Sequence, residues 1–326
     1  MFSKVSGFER AVLGGIGGMV CAGVLAVAAF PPAGETGAPR AAYDIESVLR
    51  LEPVPTVSVS VAPLKAPSAA NGLTVDEVSR TLEYELESVG LGDAAVPRVF
   101  LASMPSDIND VPEVKEKKAL FFKSVLPLVL QVNEEILKDR RRIMDIAKQR
   151  NAGHAVKAED RLWLAMMSDR YKTKRGDTRA LLMRVDVIPP SLALAQAAKE
   201  SGWGTSRFAQ QGNALFGQWT WSEEHGIEPR NRDADKDHLV RQFDTLIDSV
   251  RAYMRNLNTH RAYRELRSLR AGMRKRGEPL DGRKLALGLK SYSELGMEYV
   301  ERIRTMISYN ELSQLDSARL ASTPTS

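Results

Sequence analysis

Residues 189–220 have the sequence PPSLALAQAAKESGWGTSRFAQQGNALFGQWT, and this stretch decides the fold. The proline pair suits the start of a helix, and small and aliphatic residues that can pack closely follow it. Gly202 predicts the helix end, because glycine adopts the left-handed C-terminal conformation at no steric cost. The sequence therefore predicts a short, closely packed helix over residues 191–201, with Glu200 in its last turn.

Glu200 is the candidate catalytic acid. The negative end of the helix dipole disfavours a second negative charge there, and Trp203, Leu215 and Phe216 are close enough in sequence to shield the carboxyl from water. Both effects favour the protonated form, and an acid that keeps its proton near neutral pH is what glycosidic bond cleavage requires. The alternative is a solvated glutamate at a helix end, which is the better interpretation of an isolated Glu.

The surrounding residues outweigh that alternative. Residues 195–219, AQAAKESGWGTSRFAQQGNALFGQW, closely resemble the motif AQAxLESGWG…NLFG of the bacterial glucosaminidases of glycoside hydrolase family 73. Within that family the sequence is most similar to the Bax subgroup of exported Gram-negative proteins. Three more segments, residues 96–143, 240–263 and 285–307, resemble the subgroup in the same order, so the resemblance covers roughly residues 95–312.

The resemblance implies a mainly α, lysozyme-like α+β fold, with a helical body and a small β-hairpin lobe over the active-site cleft. It also implies an endo-β-N-acetylglucosaminidase with Glu200 as general acid, cleaving the β-1,4 bond after N-acetylglucosamine in the glycan strands of peptidoglycan. A muramidase or a lytic transglycosylase on the same glycan is an alternative, although the GLMQ-like string usual in the latter is absent. A non-catalytic wall-binding or scaffold protein is a further alternative.

The second catalytic group has several candidates. Glu223, Glu224 and Glu228 lie in the expected β-lobe, and the acetamide group of the substrate can replace a second carboxylate. We favour Glu224, because it lies early in the lobe. Tyr292 resembles the tyrosine that the family places in the cleft, although the residues after it depart from the family's YAT-like string; the alternative is a core tyrosine with a satisfied hydroxyl.

Five residues are candidates for binding the sugar chain: Trp203, Asn213, Phe216, Trp219 and Trp221. Trp219 and Trp221 are two positions apart, so on a strand they share one face, where their rings stack on sugars or pack the lobe. For Asn213 a turn cap is the first interpretation and a contact with substrate is the second.

No cofactor and no metal site are expected. The four histidines lack the HExxH spacing, and the sequence contains no nucleophile elbow and no phosphate-binding glycine loop. Residues 233–237 have the acidic spacing of a calcium loop, but His238 stands where that loop requires glycine.

Composition describes a globular protein. The chain has 326 residues, of which 43% are hydrophobic and 27% charged. Its net charge of +5 favours an anionic partner such as a cell wall or a membrane surface. Arginines 261, 264, 267 and 270 have a three-residue spacing that predicts a solvated helix face. The single cysteine, Cys21, excludes an intramolecular disulfide.

An export segment is predicted at the N-terminus. Residues 11–30 carry no charge and follow Lys4 and Arg10, and about 20 helical residues span a hydrocarbon core of about 30 Å. The positive flank places the N-terminus in the cytoplasm and the rest outside, on the periplasmic side of the inner membrane. We favour an uncleaved anchor over a signal peptide cleaved after residues 26–28. Export excludes nucleic acid as a partner.

The domain prediction has five parts: a signal peptide or anchor (1–30), a Pro/Ala-rich linker (31–72), a helical N-terminal extension (73–176), the glucosaminidase domain (177–312) and a disordered tail (313–326).

Apolar spacing predicts further helices over residues 75–89, 115–150 with a break or kink at Pro127, 157–171, 178–187, 244–256, 261–274, 282–289 and 298–309. Turn residues and the alternation in residues 239–243 predict a β-hairpin within 218–243.

Overall fold

The computed structural model of the protein describes residues 73–222, 224, 226–228 and 239–322. Its helices are α1 Val75–Thr81, α2 Leu86–Leu91, α3 Val114–Asn151, α4 Ala158–Arg170, α5 Thr178–Arg184, α6 Pro190–Ser201, α7 Arg207–Gly212, α8 Leu246–Thr259, α9 Arg264–Arg276, α10 Gly282–Leu285 and α11 Met297–Tyr309. Short 3-10 turns lie at Ile108–Asp110, Arg261–Tyr263, Ala286–Leu289 and Leu312–Ser317. The mainly α, lysozyme-like architecture predicted from the sequence is confirmed.

The β-lobe is a small antiparallel sheet, with strands β1 Trp219–Thr220, β2 Gly226–Ile227 and β3 Leu239–Arg241 in the order β1-β3-β2. Trp219 and Ile227 both pair with Val240, from opposite sides. The predicted strand alternation therefore marks the central strand of three rather than one arm of a hairpin, because β3 uses both of its edges.

Helix α6 lies at the centre of the helical body. Every residue of α6 except Lys199 is buried, because its alanines and leucines let neighbouring helices approach closely. Helices α3, α11 and α10 pack around it, and α3 also packs on α8. One hydrophobic core therefore contains residues of both the predicted extension and the predicted glucosaminidase domain.

Helix α3 is continuous over 38 residues and is not broken at Pro127. Proline has no N–H, so the carbonyl one turn earlier, that of Lys123, loses its helical donor. The Tyr84 hydroxyl donates to this carbonyl oxygen at 2.9 Å. A side chain from outside the helix thus satisfies the acceptor that Pro127 leaves open, and the helix continues.

The arginine-rich helix α9 is not solvated in the way its spacing predicts. Arg267 and Arg270 are buried, with Arg270 only 1% exposed. Arg270 donates to the carbonyl oxygens of Asp186 and Val187, and Arg267 donates to that of Leu257. The prediction is wrong for these two residues, because they satisfy carbonyl groups near the ends of α5 and α8 that have no helical donor.

The C-terminal segment after α11 belongs to the core up to residue 322. Leu315 and Leu320 are buried, and Val96 forms a parallel bridge with Leu320. The Asp316 carboxylate accepts hydrogen bonds from the backbone N–H and the hydroxyl of Ser191, both at 2.8 Å. Residues 313–322 therefore correct the expectation of a disordered tail, and residues 323–326 lie outside the described part.

Several predicted features lie outside the described residues. These are the export segment at 11–30, the linker at 31–72, Glu223 and the acidic stretch at 233–237. Within the described part of the chain, no helix has both the length and the apolar character needed to cross a membrane.

Candidate active site

The end of α6 positions Glu200 in the last helical turn, as the sequence predicts. Gly202, Trp203 and Gly204 follow with φ values of 58°, 62° and 78°, so three successive left-handed residues turn the chain sharply. A Cβ atom on Gly204 would lie 2.8 Å from Met104 Cε and 3.2 Å from the Phe121 ring. The turn therefore needs glycine at this position for two reasons, its backbone conformation and the close approach of α3.

The Glu200 carboxyl is buried, with 8% of the residue exposed. The Tyr299 hydroxyl donates to Glu200 Oε1 at 2.9 Å. Burial raises the pKa of Glu200 from 4.5 to about 7, against the hydrogen bond from Tyr299 and the charge of Lys199, which both lower it. Near neutral pH this carboxyl can therefore hold a proton and release it, which is the property required of a general acid.

A buried chain of hydrogen bonds leads to this carboxyl. The Tyr253 hydroxyl donates to Gln196 Oε1 at 2.7 Å, and Gln196 Nε2 donates to the Tyr299 hydroxyl oxygen at 2.9 Å. Because an amide nitrogen only donates, the single proton of Tyr299 is directed to Glu200 Oε1. An acid proton on Glu200 therefore resides on Oε2, the oxygen that does not accept from Tyr299.

Sequence reasoning missed these three supporting residues. Gln196 had a visible signal, because it is the polar residue one turn before Glu200 on the same face of an otherwise apolar helix. Tyr253 and Tyr299 lie on α8 and α11, far along the chain, and only tertiary packing brings them to α6.

An open cleft of about 730 Å³ borders residues that pack on this network, but Glu200 itself is not among the described residues that line it. Phe216, Tyr263 and Tyr292 form part of its wall. The Tyr292 hydroxyl donates to the Phe216 carbonyl oxygen at 3.2 Å, and its ring stacks on Tyr299 with a centroid distance of 5.3 Å. Tyr292 therefore separates the cleft from the tyrosine that holds Glu200. Burial and then the charge of Glu200 raise the pKa of Tyr292.

The structure brings four of the residues predicted from the sequence to this cleft: Phe216, Trp219, Trp221 and Tyr292. Trp221 is 67% exposed, and Phe216 is held by stacking on Tyr253 at 3.8 Å between ring centroids. The cleft thus combines one well-exposed aromatic ring on the β-lobe with rigidly packed rings on the helical body.

Trp203 lies elsewhere. Its ring packs edge-on against Phe121 and Phe122, at 5.9 and 5.3 Å between centroids, and Lys118 Nζ lies 4.8 Å from its centre. Trp203 is not among the described residues that line the cleft. The left-handed turn at residues 202–204 explains this placement, because the chain reverses there and directs the indole towards α3.

Asn213 ends helix α7 in a left-handed conformation, with φ of 52°. Its amide nitrogen donates to the carbonyl oxygens of Phe243 and Asp244 at 3.0 and 3.1 Å. The Asn213 side chain therefore caps the turn, as the first interpretation of the sequence predicts. Its two hydrogen bonds also connect the turn to the segment after β3.

Glu224 and Glu228 are exposed residues of the β-lobe. Of the carboxylates in the described part of the chain, those that line the cleft are Asp244 and Asp248. Asp248 Oδ2 accepts from the Thr245 hydroxyl and Oδ1 accepts from Arg251. The described residues contain no cluster of His, Cys, Asp and Glu suited to a metal ion.

We expect Tyr299→Phe to shift the pH dependence of catalysis. The hydroxyl of Tyr299 lowers the pKa of Glu200, so its removal should raise that pKa from its value of about 7. Because the acid must be protonated, kcat/KM falls as pH rises through this pKa, and the basic limb should move to higher pH. Tyr309→Phe, at an exposed position, is the matched control. A basic limb that stays in place or moves to lower pH in Tyr299→Phe would contradict the assignment.

Comparison with known proteins gives two matches. The profile of the family described as "Mannosyl-glycoprotein endo-beta-N-acetylglucosaminidase" matches residues 177–312. The chain is 33% identical over 216 residues to "Protein bax" of Escherichia coli (strain K12), an alignment that covers 64% of this chain and 75% of that protein. No solved structure matches the chain. The segment matched by the family profile contains Glu200 and all three residues of the hydrogen-bond chain that leads to it.

Proposed function

We propose that this chain, which belongs to the Bax-type family of proteins with a glycoside hydrolase family 73 glucosaminidase domain, cleaves the β-1,4 bond after N-acetylglucosamine in peptidoglycan. Family membership makes the protein a glycoside hydrolase that acts on a peptidoglycan glycan. The observation that supports Glu200 as the general acid is its buried carboxyl with a pKa of about 7, and the choice of bond follows from the match to the glucosaminidase family.

In the first step Glu200 acts as the general acid. The proton on Oε2 moves to the glycosidic oxygen, the bond from this oxygen to the anomeric carbon breaks, and positive charge develops on the sugar. Glu200 becomes a carboxylate, and the hydrogen bond from Tyr299 to Oε1 stabilises that charge. The same bond that lowers the pKa of the acid therefore stabilises its conjugate base.

The second step needs a group that handles water or the developing cation. We propose Glu224 for this role, because it lies between β1 and β2 in the lobe that borders the cleft. The alternative is the acetamide of the substrate, whose carbonyl oxygen attacks the anomeric carbon and is later displaced by water. The Trp221 ring, which is exposed to solvent on the cleft wall, would hold a sugar by stacking on its apolar face.

We propose that the protein works on the periplasmic side of the inner membrane. The apolar residues 11–30 would anchor it, and residues 31–72 would connect the anchor to the rest of the chain; a flexible chain of about 40 residues has an r.m.s. span of roughly 35 Å. Fractionation of cells separates this from a cleaved signal peptide: protein found wholly in the soluble periplasm, with a new N-terminus near Ala29, would show that the anchor is wrong.

Product analysis tests the bond that is cleaved. Purified sacculi are digested, the reducing ends are reduced with borohydride, and the fragments are identified by mass spectrometry. We expect new reducing ends at N-acetylglucosamine, and none in a parallel digest with Glu200→Gln. Ends at muramic acid would make the protein a muramidase, and anhydromuramic ends would make it a lytic transglycosylase. An absence of any product would favour a non-catalytic wall-binding protein.

A further inference from the structure

The cleft carries more positively charged side chains than general acid catalysis requires. Five cationic side chains line it: Arg170, Lys172, Arg241, Arg251 and Arg255. Two carboxylates of the described residues oppose them, Asp244 and Asp248, which leaves an excess of three positive charges, five minus two. The wall of the cleft is therefore cationic.

Three of these cations lie on the helical body and are available to a ligand, whereas Arg241 belongs to the β-lobe and lies over the Phe243 ring, 5.0 Å from its centre. Arg251 is committed, because it pairs with Glu135 at 2.8 Å and with Asp248 at 3.2 Å. Arg170, Lys172 and Arg255 are exposed, and within the described ranges none of them forms a salt bridge. Arg170 has one carboxylate near it, because its charge lowers the pKa of Asp139. Exposed guanidinium and ammonium groups outside salt bridges attract anionic ligands, and Arg binds carboxylates in a bidentate manner.

The fold holds these three residues together. The Arg184 guanidinium donates to the carbonyl oxygens of Tyr171 and Thr259, at 2.7 and 3.4 Å, and so ties the end of α4 to the end of α8. Burial lowers the pKa of His260, and the nearby charges of Arg261 and Lys172 lower it further. The backbone segments that carry the three cations, near the ends of α4 and α8, are therefore held next to each other.

The N-acetylglucosamine on one side of the scissile bond gives these cations little to bind, because it is neutral. In peptidoglycan every second sugar carries a lactyl ether, whose carboxyl is either free or linked to a peptide with carboxylates of its own. We propose that Arg170, Lys172 and Arg255 form a subsite for the carboxylates attached to the glycan, so that the cleft selects an anionic strand over a neutral one. This inference rests on the function proposed above.

The subsite also gives the helical extension a role. Arg170 and Lys172 lie at the end of α4, before the segment at 177–312 that the family profile matches. Arg255 lies within that segment. The substrate site is therefore composed of both parts of the chain, with the acid in the matched segment and two of the three cations in the extension.

Binding measurements on the inactive full-length protein test the subsite without requiring hydrolysis. The background is Glu200→Gln, purified in an uncharged detergent at low salt. The test variant adds Arg170→Gln, Lys172→Gln and Arg255→Gln, and the probes are peptide-bearing glycan fragments, peptide-stripped fragments and a neutral N-acetylglucosamine oligomer. We expect the test variant to bind peptide-bearing fragments about tenfold more weakly, as three exposed ionic contacts suggest, and the neutral oligomer equally well.

A matched control distinguishes an effect of these three cations from an effect of the protein's net charge. Arg141→Gln, Lys148→Gln and Lys275→Gln remove three exposed cations outside the cleft and should leave all three affinities unchanged. Weakening confined to peptide-bearing fragments assigns the peptide carboxylates as the ligand, and equal weakening for stripped fragments assigns the lactyl carboxylates. Equal loss with the control variant, equal loss for the neutral oligomer, or no binding of the Glu200→Gln protein to peptide-bearing fragments would overturn the proposal.

The outcome is also distinguishable from failure of the proposed function. If wild-type protein releases no product from sacculi but the charge dependence of binding holds, the enzyme assignment fails and the carboxylate subsite remains. If hydrolysis is observed without any charge dependence, the subsite fails and the enzyme assignment remains. Binding of the neutral oligomer by the test variant shows that the variant is folded.

Discussion

Glu200→Gln is expected to retain the fold and to lose about 10² to 10⁴-fold in the rate of peptidoglycan hydrolysis, the usual contribution of general acid catalysis. The amide has nearly the same shape and its oxygen can accept the hydrogen bond from Tyr299, but it carries no acidic proton. The rate is measured as release of reducing ends from purified sacculi. Circular dichroism spectra of the two proteins should superimpose.

Glu159→Gln is the matched control, because Glu159 is exposed on α4 and does not line the cleft. Its rate should equal that of the wild type. Substantial turnover by purified Glu200→Gln would remove Glu200 from the mechanism.

The same substitution should change stability in a pH-dependent way. The pKa of Glu200 is about 7 in the folded protein against an ordinary value of 4.5. Below pH 4.5 both states hold the proton; between 4.5 and 7 the unfolded chain releases it first, so the folded protein loses stability as pH rises. At about 1.4 kcal/mol per pKa unit, Glu200→Gln should therefore be more stable than the wild type by about 3 kcal/mol above pH 7, and nearly equal to it below pH 4.5.

Asp186→Asn is expected to destabilise the protein by roughly 3–5 kcal/mol, the usual cost of leaving a buried charge without its partner. The Asp186 carboxylate lies 2.9 Å from Arg274, 3.7 Å from Arg140 and 3.8 Å from the buried Arg270. Asparagine keeps the shape but leaves three guanidinium groups without a counter-ion. The free energy of unfolding is measured by urea denaturation at neutral pH, where the carboxylate is ionised.

Asp169→Asn is the control for burial. Asp169 also pairs with an arginine, Arg175, at 2.6 Å, but both side chains are more than half exposed. Exposed pairs of this kind contribute about 0–1 kcal/mol, so this variant should unfold close to the wild-type midpoint. An equal decrease in the free energy of unfolding in the two variants would show that the ion cluster around Asp186 contributes no more to stability than an exposed ion pair.

The part of the site that local sequence determines could be predicted. The proline pair and Gly202 mark the limits of α6, and they place Glu200 in its last turn without reference to the rest of the chain. The raised pKa of this carboxyl is also predicted, from the helix dipole and from shielding by Trp203, Leu215 and Phe216, but the structure places the Trp203 indole against α3. A left-handed turn changes the direction of a side chain in a way that proximity in sequence does not reveal.

Other features depend on contacts between distant segments. The spacing of Arg267 and Arg270 is the same for a solvated face and for a buried one, and only the helix ends packed against them decide between the two. Pro127 predicts a helix break unless a donor from elsewhere reaches the Lys123 carbonyl, as the Tyr84 hydroxyl does. Tyr299 lies 99 positions from Glu200 along the chain, so its role as donor could not be predicted from local pattern.

Helix α3 lies wholly before residue 177, yet its buried face, with Leu126, Leu128 and Val129, belongs to the same core as α6. A fragment cut at the boundaries of the family match would expose this side of the core to water and leave the acid-bearing helix without its long neighbour. The segment that the family profile matches is therefore smaller than the segment that shares one hydrophobic core. For this chain, a fragment designed for catalysis should therefore begin before α3 and not at residue 177, where the match to the family profile begins.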